Sequence, residues 1–204
     1  DPSSAAFWMV AATIVPGSAV VIENVGLNAT RAGLITALRA MGADIEEQDE
    51  RTVGGEPVAD LRVRHATLRG IDVPHDLAPS MIDEYPALFV AASFAQGRTV
   101  ARGADELRVK ESDRIAAMLA ALTANGVSCE EHQDGLTITG TGGEPIAGGA
   151  TIASNLDHRI AMSMVVAGFH ARQAITIDDA SPIATSFPNF FDLLQMLGGE
   201  ATWG

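Results

Sequence analysis

Apolar and polar positions along this chain follow one pattern that recurs three times. Each copy opens with a stretch that is apolar on every side: Ala5–Ala12, Ala87–Ala92 and Ile160–Ala167. A helix of that kind is buried all round. A short β-rich segment follows, at Val20–Ile22, Thr99–Ala101 and Ile175–Ile177. Then comes a one-sided pattern spaced i, i+3, i+4, i+7, which predicts an amphipathic helix. Its apolar positions are Leu34, Leu38 and Met41 in the first copy and Ile115, Met118, Leu119 and Leu122 in the second. In the third they are Phe187, Phe190, Phe191 and Leu194. Each of these helices runs into a glycine, Gly42, Gly126 or Gly198, the usual residue at a helix stop.

A strand is expected next, most plainly at Asp44–Glu47 and Ser128–Glu131. Leu61–Arg64 and Leu136–Thr139 alternate apolar and polar, so their sheets are expected to have one wet face. Turns at Gly54–Pro57 and Gly142–Pro145 are expected to join the paired strands. The units are too long and too few for a solenoid. No low-complexity linker interrupts them. The expected fold is one α+β domain over residues 1–204, with helices packed inward.

Composition narrows the function classes. The chain has 204 residues, 47% apolar and 19% charged, which suits a packed globular domain rather than a disordered one. A formal charge of −13 is the wrong balance for a general nucleic-acid or anionic-membrane binder. Cys129 is the single cysteine and has no partner for an internal disulfide, which suits a reducing cytoplasm. No apolar run reaches membrane-spanning length. The sequence opens on Asp1 without an initiator Met, and a piece of a longer protein is expected.

The chemistry gathers at helix starts. Ser3 and Ser4 stand before the first apolar helix, Asp83 and Glu84 before the second, and Asp157-His158-Arg159 before the third. Asn28–Arg31, Lys110–Arg114 and Thr185-Ser186 are expected to open the amphipathic helices. Three units related by approximate rotation would aim these six starts at one end of the domain. Helix N-termini offer unpaired N–H groups and partial positive charge, which attract phosphate and carboxylate ligands. Arg31, Lys110, Arg114 and Arg159 would add full charges, which reconciles an acidic protein with an anionic ligand. Lys110 is the only lysine in the chain. The same residues also have an ordinary reading: Ser, Thr, Asp and Asn at helix starts are caps, worth roughly 1 kcal/mol each. Arg31 and Arg159 also fit surface ion pairs, His158 a structural hydrogen bond, and Cys129 a packed strand position. The phosphate-loop, dinucleotide, zinc and Gly-x-Ser-x-Gly patterns are missing.

The segment Leu107-Arg-Val-Lys-Glu-Ser-Asp-Arg114 resembles the signature of the 5-enolpyruvylshikimate-3-phosphate (EPSP) synthase family. Asp1–Phe7, Asn28–Gly33, Met81–Pro86, Asp157–Met162 and Ala184–Pro188 are similar to further family segments, in family order. Met81–Pro86 and Asn28–Arg31 look like the bacterial class II branch, which includes glyphosate-tolerant enzymes. The resemblance implies three βαβαββ-type units with outer mixed sheets, an inverse α/β barrel half. It also implies that this chain is the C-terminal domain and that the N-terminal domain is absent. The family domain borrows a strand from the far N-terminus, so an uncovered apolar surface or open sheet edge is expected here.

By the same resemblance the whole enzyme moves the enolpyruvyl group of phosphoenolpyruvate onto the 5-hydroxyl of shikimate 3-phosphate, a step of aromatic amino acid and chorismate biosynthesis. Asp83 would be the base near the hydroxyl and Glu111 the proton shuttle at the methylene carbon. Lys110 would neutralise charge between the substrates, and Arg114 and Arg159 would clamp phosphoenolpyruvate. Glu106 would face shikimate 3-phosphate. Thr185 stands where many relatives carry Lys, and Arg31 is a candidate for domain closure or ligand contact. No metal or organic cofactor is implied. The partners are the two substrates and the N-terminal domain, without which the chain is expected to be inactive. A UDP-N-acetylglucosamine enolpyruvyl transferase-like domain and a non-catalytic binding module are the alternatives.

Overall fold

The computed structural model describes residues 1–203. In the first unit, α1 (Pro2–Ile14) leads to β1 (Ala19–Gly26), α2 (Gly33–Ala40), β2 (Asp44–Val53) and β3 (Glu56–Arg64). In the second, α3 (Tyr85–Ser93) leads to β4 (Arg98–Ala101), α4 (Arg114–Ala124), β5 (Ser128–His132) and β6 (Gly135–Thr139). Both sheets are antiparallel with the same order, β1-β3-β2 and β4-β6-β5. The third unit is built differently. Short strands β7 (Ile146–Gly148) and β8 (Thr151–Ile152) precede α5 (His158–Gly168). They pair in parallel with β9 (Ala171–Gln173) and β10 (Thr176–Ile177), and α6 (Ser181–Ser186) and α7 (Phe190–Met196) follow.

The all-apolar helices are the core. Every residue of α3 is buried, as is α1 from Ala5 to Ile14 and seven of the eleven residues of α5. The three helices pack on one another, and the amphipathic helices lay their apolar faces against them. The amphipathic helices end alike. Gly42, Gly126 and Gly198 all have φ between 85° and 99°. Each following N–H bonds back five residues: Ala43 to Leu38, Val127 to Leu122 and Gly199 to Leu194, at 2.9–3.0 Å. This is the Schellman closure, which needs a left-handed residue that only glycine adopts without strain. The repeat is therefore visible in backbone geometry as well as in apolar spacing.

Several expectations need correction. The third amphipathic helix is broken into α6 and α7 because Phe187 precedes Pro188, and the proline ring pushes it out of the helical region, to φ −142° and ψ 73°. Thr185 therefore lies in the last turn of α6 and opens no helix. Gly54–Pro57 does contain the β2–β3 turn, but the β5–β6 turn is Gln133-Asp134, and Gly142–Pro145 leads out of the second sheet. β6 is covered on both faces, since Thr137 is as buried as Leu136 and Ile138. A cavity of about 350 Å³ is lined by Trp8, Val20, Phe169, Leu194 and Leu197, and Met196 and Trp203 are exposed nearby in the chain.

Gly33 marks a close approach. A Cβ there would stand 2.3 Å from Ser80 Oγ and 3.1 Å from the Leu77 carbonyl, so α2 can touch the 3₁₀ turn His75–Ser80 only without a side chain. Gly33→Ala is expected to lower unfolding stability by about 1–3 kcal/mol, the usual cost of overpacking. Urea denaturation measures it.

Candidate functional site

The starts of the three inner helices meet at one end of the core. Pro2 occupies the first turn of α1, where its missing N–H costs nothing, and Asp1 caps it by accepting from Ser4 N–H at 3.0 Å. Ser3 therefore lies inside the helix rather than before it, and is buried. Asp83 and Glu84 form a 3₁₀ turn immediately before α3. Asp157 caps α5, accepting from Arg159 N–H at 2.9 Å.

The segment Asp105–Arg114 crosses this end. Lys110 is not helical. It follows the 3₁₀ turn Asp105–Val109 in an extended conformation, and α4 begins only at Arg114, capped by Asp113. Arg108 fixes the crossing. It donates to the carbonyls of Gln133 (2.9 Å) and His132 (2.7 Å) and to Asp113 Oδ2 (3.0 Å), and stands 2.9 Å from Glu131. The signature segment is thus tied to the β5–β6 turn.

Arg114 is the hub. Its side chain is 1% exposed, yet three carboxylates meet it. Nε donates to Asp157 at 2.8 Å, one terminal nitrogen to Asp83 at 3.0 Å, and the other to Glu111 at 2.6 Å. Asp157 is fully buried and also accepts from the Ser112 hydroxyl at 3.0 Å. Burial pushes the Asp157 carboxyl up, but the hydrogen bond and charge of Arg114, with the Arg159 and Ser112 donors, outweigh it and hold it below the usual carboxylate range. A depressed folded pKa stabilises the protein above the unfolded value of about 3.9 and ceases to do so as pH falls through the lower folded value. Asp157→Asn should accordingly be less stable than the parent at pH 7, with the gap narrowing below about pH 4. Unfolding curves at stepped pH measure this.

Asp83 is the half-exposed face of the cluster. Three cations surround it: Arg114 at 3.0 Å, Lys110 at 3.6 Å and Arg159 at 3.9 Å. Burial raises its pKa, but Arg159, Lys110 and Arg114 together hold it low, so it is ionised at neutral pH. Lys110 also pairs with Glu106, whose hydrogen bond chiefly raises the lysine pKa. Arg159 donates to the Asp83 main-chain carbonyl at 3.0 Å and lies 3.6 Å from Glu84. With five acidic side chains against three basic ones, every cation has a carboxylate within 4 Å, although Arg159 makes no side-chain hydrogen bond to one. A ligand anion must therefore compete with carboxylates. Glu106 and Glu111 are exposed and can swing aside, whereas Asp157 cannot.

Of the eight residues expected to form the site, Asp83, Glu106, Lys110, Glu111, Arg114 and Arg159 come together. Arg31 stands at the margin, donating to Ser3 at 3.2 Å and pairing with Asp1 at 3.4 Å. Thr185 is exposed on α6. Sequence reasoning treated Glu84 and Asp157 as helix-start residues and did not see their arginine partners. The one available signal was their immediate neighbours, Asp83 and His158-Arg159. Cys129 packs in β5, and burial pushes its thiol up to about 11, which makes it a poor nucleophile. Among the described residues no group of three or more His, Cys, Asp or Glu is placed to hold a metal, and no helix is long and apolar enough to cross a membrane.

The family model of EPSP synthase (3-phosphoshikimate 1-carboxyvinyltransferase) matches residues 1–194. A 3-phosphoshikimate 1-carboxyvinyltransferase from Sphingopyxis alaskensis is 66% identical over 197 residues, 97% of this chain and 44% of that protein. One from Novosphingobium aromaticivorans is 61% identical over 198 residues, 96% of this chain and 45% of the relative. The solved EPSP synthase of Acinetobacter baumannii superposes with a TM-score of 0.93 at 49% identity, covering 96% of this chain and 45% of that one. The enolpyruvyl transferase NikO of Streptomyces tendae shares the fold, with a TM-score of 0.70 at 17% identity. The chain spans a little under half the length of the relatives it matches.

Proposed function

This chain belongs to the EPSP synthase family, and from that premise we propose that it forms the C-terminal half of the active site of a 3-phosphoshikimate 1-carboxyvinyltransferase. The remaining half of the protein supplies the other substrate contacts. The observation that carries the reading is a single carboxylate, Asp83, set among Lys110, Arg114 and Arg159 where three buried helices begin.

The reaction joins the 5-hydroxyl oxygen of shikimate 3-phosphate to C2 of phosphoenolpyruvate while a proton is added at C3. The resulting tetrahedral ketal phosphate then expels phosphate and returns a proton from C3. Asp83 accepts the hydroxyl proton. Its low pKa makes it a weak base in the ligand-free chain, and it strengthens as the cations turn toward substrate anions. Glu111 moves the proton at C3. It can leave Arg114 because it is exposed, and in leaving it frees one edge of that guanidinium. Arg159 and the freed edge of Arg114 hold phosphoenolpyruvate, since guanidinium forks match carboxylate and phosphate. Lys110 bridges the two anionic substrates, and Glu106, its partner, faces shikimate 3-phosphate. Arg31 and Thr185 are peripheral contacts, reached on closure over the ligands. A cytoplasmic setting fits the unpaired thiol of Cys129.

Phosphate release from phosphoenolpyruvate plus shikimate 3-phosphate tests the proposal. The chain alone should release none, and the chain mixed with the separately made other half should turn over. In that mixture Lys110→Ala should lose about 10²-fold or more of the activity, the scale of a lost charge stabiliser. Turnover by the chain alone, or none in a mixture of two folded halves, would count against it.

A further inference from the structure

We infer that Glu84 is a positioning residue for Arg159: it draws the guanidinium away from Asp83 and so keeps both available to the substrates. The inference rests on the reading of Arg159 as a substrate clamp.

Three inner helices start around this side chain. Ser3 belongs to the first turn of α1, Glu84 immediately precedes α3, and Arg159 belongs to the first turn of α5. The Glu84 carboxylate is buried. The Ser3 hydroxyl donates to its Oε1, and Arg31 donates to that hydroxyl oxygen from 3.2 Å. With its lone pair engaged by Arg31, Ser3 directs its proton at Glu84. That contact holds the carboxylate where three helix N-termini make the potential positive.

Arg159 stands between two successive carboxylates. One terminal nitrogen is 3.6 Å from Glu84 Oε1 and the other 3.9 Å from Asp83 Oδ2. Only the Asp83 main-chain carbonyl is at true hydrogen-bond distance, 3.0 Å. At 3.6–3.9 Å the two carboxylates orient the cation by charge without consuming its N–H groups. Without the Glu84 charge, the nearest acidic partner is Asp83. Closing that gap would lock the clamp and the base into a pair, and each would be withdrawn from the substrates.

Glu84→Gln isolates this effect. Glutamine keeps the size and still accepts from Ser3, so only charge is lost. In the enzyme that carries this chain with the rest of the protein in place, the variant should raise the KM for phosphoenolpyruvate about tenfold, the weight of one charge-assisted contact. kcat should fall by less, and the melting temperature should stay near the parent value. Glu84→Gln added to Arg159→Lys should have less than about a twofold further effect, because the route runs through Arg159. Ser3→Ala, which removes no charge, is a second probe and should raise the same KM by a few-fold. The inference is overturned if Glu84→Gln and Ser3→Ala leave this KM unchanged, if glutamine restores what Glu84→Ala loses, or if the two substitutions are additive. Arg159→Lys is the control on the underlying reading. A normal KM there removes the clamp itself, whereas a raised KM with a neutral Glu84→Gln removes only the role of Glu84.

Discussion

Arg114→Leu is expected to destabilise the chain by about 3–5 kcal/mol, the cost of leaving a buried charge without its partner. The stranded group is Asp157, which is fully buried and keeps only Ser112 and the Arg159 main-chain N–H as donors. Asp83 and Glu111 suffer less, because both reach water. Replacing the pair together, as Arg114→Leu with Asp157→Leu, should recover part of the loss, since an apolar pair carries no desolvation penalty but the α5 cap, worth about 1 kcal/mol, goes with Asp157. Urea denaturation of the single and double variants measures the difference. A single variant within about 1 kcal/mol of the parent would mean that water enters the cluster and that Arg114 is not its electrostatic centre.

Asp83→Asn is expected to reduce turnover by about 10²–10⁴-fold in the reconstituted enzyme, the range for removing a general base. Stability should change little by comparison, because the Asp83 side chain is 39% exposed and an amide can still accept from Arg114. Affinity for the anionic substrates should hold or improve, since a competing carboxylate is gone from among three cations. A loss of kcat without a rise in KM is the signature of an interaction made in the transition state. Activity within tenfold of the parent would move the base elsewhere, and Glu111 would be the next residue to test.

The site was legible where charge is rare. One lysine in an acidic chain, placed beside Arg114, marks a segment whose Lys110 and Arg114 side chains do meet Asp83, which Arg159 also approaches. The local geometry there was misread. Lys110–Arg114 was expected to open the helix, which begins only at Arg114 because Asp113 rather than an earlier residue takes the cap. The opposite error occurred at α1, where Ser3 was placed outside a helix that Pro2 had already begun. In both cases several residues could cap equally well, and only packing selects among them.

What the sequence by itself determined is the repeat: three all-apolar helices, the amphipathic segments that follow them (the third broken at Phe187-Pro188), and three glycines that stop those segments. Periodicity and glycine freedom are local properties, and local rules suffice to read them. The tertiary structure alone decided which charges face which. Ser3, Glu84 and Arg159 lie far apart in the chain and become neighbours only because three buried helices converge. Whether Arg114 is a free fork or a saturated hub depends on carboxylates distant in the chain, Asp83 before α3 and Asp157 before α5. Electrostatic energy depends on distance and burial, and chain separation gives neither.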